Sequence, residues 1–159
     1  MRGAILLLSF CSAAAVASAQ STPAPKHSAS AIQIALVEAG DVPIPAEFRY
    51  AVYERLVEQV RQSGAFQKVY RMGDHAADGI PDLVTLHTKV ETFKEGSQTE
   101  RELVMLGATK VDITASVTAH DGSSLMNQKI TGRVRFFGEN LGVTNDLAKR
   151  ITKLLQASF

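Results

Sequence analysis

The stretch that decides the fold runs from Leu103 to Ala119 and reads LVMLGATKVDITASVTA. Leu103, Met105, Val111, Ile113, Ala115, Val117 and Ala119 share odd parity. Lys110, Asp112, Thr114, Ser116 and Thr118 fill the even positions. Successive side chains of a strand point to opposite faces, so this is a long strand with one face buried and one wet, bent near Gly107. Asp121-Gly122 supplies the residues a tight hairpin turn needs. The chain then returns with Met126, Ile130, Val134 and Phe136 on one face and Lys129, Thr131, Arg133 and Arg135 on the other.

Such a hairpin needs a partner strand and a cover for its apolar face. Leu83 to Phe93 offers the strand, with Val84, Leu86 and Val90 opposed to Thr85, His87, Lys89 and Glu91. Ile32 to Glu38 (IQIALVE) reads as a strand buried on both faces. The cover comes from two helical patterns. From Glu47 to Ser63, Phe48, Val52, Leu56 and Val60 recur every four residues, and Ala51 and Val57 widen the stripe. Pro45 suits a first helical position, and Gly64 suits a left-handed C-cap. Thr144 or Asn145 can cap a last helix with the stripe Leu147, Ile151, Leu154 and Leu155. Phe66 to Met72 is a short strand and Gly73 to Pro81 a loop. The order strand, helix, strands, helix predicts an α+β fold. It is a two-layer sandwich, one mostly antiparallel sheet of four to five strands with two helices on one face.

The N-terminus has an export pattern. Arg2 precedes an apolar run from Ala4 to Val16, and Ala17 and Ala19 offer the small side chains of a cleavage site. Residues 1–19 read as a signal peptide, 20–30 as a disordered linker rich in Pro and Ser, and 31–159 as a single domain. His27 in the linker reads as solvated. Removing 19 residues from 159 leaves 140, and losing Arg2 lowers Lys plus Arg from 17 to 16, equal to the 16 acids. The expected location is the periplasm or the cell exterior. Cys11, the single cysteine, gives the alternative of an outer-membrane lipoprotein, and membrane association requires its lipidation.

Ile34-Ala35-Leu36-Val37, Pro45-Ala46-Glu47-Phe48, Ser63-Gly64, Pro81-Asp82-Leu83-Val84, Arg101, Gly107-Ala108 and Asp121-Gly122 occur in that order. On these residues the chain resembles a family of small exported bacterial proteins, many of them lipoproteins, known as domain-of-unknown-function family 4410. The architecture also resembles the periplasmic domain of the curli-secretion lipoprotein and the amino-terminal domain of the Tol-Pal propeller protein. The resemblance implies an envelope protein and carries no catalytic residues to transfer.

The sequence carries no recognisable catalytic, cofactor-binding or metal-ligating set. Asp74, Asp78 and Asp82 lie four residues apart, and Ala76 stands where a calcium loop would place a middle carboxylate. His27, His75, His87 and His120 have no second His at metal-ligand spacing. No Gly-x-Ser-x-Gly elbow, phosphate loop or dinucleotide fingerprint occurs. Glu91, Glu95, Glu100 and Glu102 read as a solvated strand end. Phe159 ends the chain as in outer-membrane barrels, but the strand count is too low for one. Lys110, Lys129, Arg133 and Arg135 form the candidate interaction face, interrupted by Asp112 and continued by the loop from Lys94 to Arg101. A formal charge of +1, no Trp and 6% aromatics speak against nucleic acid. The expectation is a non-enzymatic envelope protein acting by binding or assembly, with an envelope protein or itself as partner. The alternatives are a binding module for an anionic polymer or lipid headgroup and, third, a hydrolase without a visible motif.

Overall fold

A computed structural model describes residues 26–94, 109–134 and 140–159. The expected signal peptide with Cys11, Ala17 and Ala19, the loop after Lys94, Leu103, Met105, Gly107, Arg135 and Phe136 lie outside the described residues. The elements are β1 (Ala31–Ile34), α1 (Ala46–Ser63), β2 (Lys68–Arg71), β3 (Leu83–Lys94), β4 (Thr109–Ala119), β5 (Ser124–Val134) and α2 (Asn140–Ser158). The five strands form one mixed sheet in the order β2-β1-β3-β4-β5. β1 is parallel to both β2 and β3, and β3, β4 and β5 are antiparallel. The three long strands are thus the antiparallel ones, and the α+β architecture is as the sequence reads.

The period-2 pattern decides which face the helices cover. Val111, Ile113, Ala115 and Val117 of β4 are fully buried and pair with Gly132, Ile130, Gln128 and Met126 of β5. Ile32, Ile34, Val84 and Leu86 extend that layer through β1 and β3. In α1, Phe48, Val52, Leu56 and Val60 are buried as their spacing requires, and Tyr53 and Val57 join them. Ala51 is only half-buried. Leu147, Ile151 and Leu155 of α2 have no exposed surface. The two helices pack on each other and on the sheet around one core.

Four local readings change. α1 begins at Ala46 with Pro45 as its N-cap, whose carbonyl accepts from the Arg49 N–H at 3.3 Å. Proline has no N–H to donate, so the capping position costs it nothing. α2 begins at Asn140, a turn ahead of Thr144, because Val143 continues the stripe of Leu147, Ile151 and Leu155 and is fully buried. β1 stops at Ile34, although residues 35–38 still run beside β3: the Ala35 and Glu38 N–H groups donate to Leu86 and Thr88 carbonyls, each at 2.9 Å. In β3 a bulge between Val90 and Thr92 leaves Glu91 unpaired. One extra residue reverses the faces beyond it. Phe93 therefore turns to the core, its ring 5.3 Å from that of Phe48, and Thr92 and Lys94 turn to the wet face.

Gly64 takes φ +65° at the end of α1, and Gly122 takes φ +83° in the β4–β5 turn. Both are left-handed conformations that favour glycine. His27 is not simply solvated: its N–H donates to the Ser158 carbonyl at 2.7 Å, and its ring lies 5.7 Å from Phe159. No described helix is long and apolar enough to cross a membrane.

Candidate functional site

The sheet face away from the helices carries the charge. Strand register sets its side chains in cross-strand rows. Lys94, Lys110 and Arg133 form one row; Thr92, Asp112 and Thr131 the next; Lys89, Thr114 and Lys129 the third; His87, Ser116 and Asn127 the fourth. Of the four cations singled out in the sequence, Lys110, Lys129 and Arg133 share this face, and Arg135 lies outside the described residues. Lys89 and Lys94 of β3 join them. Lys94 reaches the face only because the bulge reverses β3, a feature that no pattern in the sequence marks.

Asp112 sits at the centre of the cluster and is almost fully buried. Its carboxylate accepts from the Thr131 hydroxyl at 2.5 Å and the Thr92 hydroxyl at 2.8 Å, and Lys110 Nζ lies 3.3 Å away. These partners, Thr131 foremost, favour the ionised form and hold its pKa down to about 2 against a raising effect of burial. Asp112 therefore ties β3, β4 and β5 together on their wet face. Its charge is met by its neighbours more than by solvent. Lys94, Lys129 and Arg133 form no ion pair with any described residue, and Lys89 Nζ lies 3.9 Å from Glu91.

A second surface lies at the C-terminal ends of β1 and β2. Leu36 is 50% exposed, Tyr50 60% and Met72 50%, the large apolar side chains left open among the described residues. Leu36 and Tyr50 line one small cavity of about 50 Å³ with Val37, Arg49 and Tyr53. Beside it Arg71 makes a bidentate pair with Glu54, at 2.5 and 2.7 Å, and lies over the Tyr53 ring at 5.6 Å. A groove of about 560 Å³ continues from this pair along the charged side of α1, past Arg55, Glu58 and Arg61. Leu36 lies within the apolar run Ile32 to Glu38, so nothing in the local pattern marks this corner.

The remaining candidates are not brought together. Asp74 accepts from the Ala76 N–H, Asp78 faces His75 at 3.1 Å, and Asp82 accepts from the Ser30 N–H at 2.7 Å. Among the described residues no group of three or more His, Cys, Asp or Glu side chains could hold a metal ion. His87 lies 3.4 Å from the Thr118 hydroxyl on the wet face. The carboxylates with a resolved shift, Glu54, Asp82, Asp112 and Asp121, all lie below their ordinary values because hydrogen bonds favour the ionised form.

No family model and no curated protein matches the chain. Solved structures do share its fold. The PelC dodecamer from Paraburkholderia phytofirmans is 12% identical with a TM-score of 0.61, over 80% of this chain and 89% of that one. A variant of the same dodecamer gives 13% identity and a TM-score of 0.63, over 85% and 93%. Protein XCC0632 from Xanthomonas campestris, of the family DUF330, is 14% identical with a TM-score of 0.55, over 86% of each chain. These likenesses establish a common fold for the sheet and helices described above, one that already occurs in a protein built as a dodecamer.

Proposed function

We propose that this chain is an exported envelope protein without catalytic activity that works by assembling with copies of itself. The observation that carries the reading is the exposed corner of Leu36, Tyr50 and Met72. Leu36 and Tyr50 line one cavity together, and exposed apolar side chains gathered in this way mark an interaction site. The dodecameric state of the PelC structures adds support from the fold. The apolar run ending at Ala17 and Ala19 supports export.

Cross-linking in intact envelopes of cells expressing the full chain, followed by mass spectrometry, tests this reading. It expects cross-links between copies through the corner of α1 and the β1 and β2 ends. Recovery of uncross-linked chain from the cytoplasm would contradict it.

A further inference from the structure

We propose that the wet face of β3, β4 and β5 binds an extended anionic polysaccharide bearing carboxylates. Five cations from three strands converge there, Lys89, Lys94, Lys110, Lys129 and Arg133, against Asp112, Glu91 and Glu38, the last paired by its backbone with Lys89. Asp112 pairs with Lys110 at 3.3 Å, and Lys94, Lys129 and Arg133 keep no ion-pair partner among the described residues. The rows containing Lys110 and Thr114 stand four residues apart, about 13 Å, and three strands span about 10 Å. Two cationic rows at that separation can hold successive charges of one extended chain. The hydroxyl and amide groups of Thr114, Ser116 and Asn127 lie beside them and suit sugar hydroxyls.

The chemistry of the face selects this occupant over others. From Thr85 to Lys94, Lys110 to Thr118 and Asn127 to Arg133, every residue with its register on this side is polar. A membrane-surface site needs apolar side chains to insert, and a stable protein interface needs an apolar centre. A hydrated polyanion needs neither. The site shares no residue with the apolar corner of Leu36, Tyr50 and Met72.

The test uses protein purified from cells expressing the full chain, with three probes: polyuronate oligosaccharides, neutral dextran, and phosphatidylglycerol vesicles. Polyuronate is expected to bind, with affinity falling as salt rises from about 50 to about 200 mM, and dextran is expected not to bind. The variant Lys129→Gln/Arg133→Gln is expected to lose about tenfold in affinity at the lower salt and to show a shallower salt dependence. Lys149→Gln/Lys153→Gln, at exposed positions on α2, is expected to bind as the parent does. If the first variant fails to fold, Lys89→Gln gives the same readout with a loss of about twofold to threefold. No binding of polyuronate, equal losses in the face and α2 variants, or binding to vesicles alone would overturn the proposal.

Discussion

Gly132 of β5 lies directly beneath Leu147 of α2: a Cβ at residue 132 would stand 2.7 Å from both Cγ and Cδ2 of that leucine. The branch point of Leu147 cannot swing away as a chain end could. This glycine is required not by its backbone angles but by the close approach of helix to strand. Gly132→Ala is expected to destabilise the fold by about 1–3 kcal/mol, measured by denaturant unfolding. In a Leu147→Ala background the same change is expected to cost less, because the two residues share one space.

Asp112 predicts a second effect. Asp112→Ala leaves the Thr92 and Thr131 hydroxyls without their acceptor and is expected to cost about 1–3 kcal/mol. Asp112→Asn keeps one acceptor oxygen and is expected to recover part of that loss. Equal losses in the two variants would show that the hydroxyl clamp contributes nothing.

The same carboxylate sets an acid dependence. Its folded pKa is depressed, so its stabilisation is present above its ordinary value near 3.8 and is lost as pH falls toward about 2. Unfolding curves of the parent and Asp112→Asn are expected to differ at pH above about 4 and to converge toward pH 2. A constant difference across that window would assign the loss to packing instead.

Arg71 and Glu54 form a bidentate pair whose side chains are 45% and 55% exposed. Solvent screens such a pair, so Arg71→Ala is expected to cost about 1 kcal/mol or less, despite the short distances. The loss should shrink further in high salt. A larger loss would mean that the contact of Arg71 with the Tyr53 ring dominates.

The sheet was legible where one strand face is buried and the other wet. Val111 to Val117 alternate without error, and Asp121-Gly122 turns where such a dipeptide should. The bulge at Glu91 was not legible, because it arises from pairing with β4 twenty residues away rather than from local pattern. It decides that Lys94 belongs to the basic face. The parallel pairing of β1 with both β2 and β3 is likewise non-local. Leu36 shows the opposite failure. Its neighbours Ala35 and Val37 are buried, so the run reads as a continuous strand, yet Leu36 itself is turned outward. The near-zero charge of the chain gives no hint of the basic face, but strand alternation does, since it sets Lys110, Lys129 and Arg133 on one side.

Self-assembly through the apolar corner is tested most directly by light scattering on the protein purified from cells expressing the full chain, beside its Leu36→Glu variant. The parent is expected to have a mass several times that of one chain, and Leu36→Glu, at a half-exposed position, is expected to be monomeric with an unchanged melting temperature. A monomeric parent at every concentration, or a variant that assembles as the parent does, would contradict assembly through this corner.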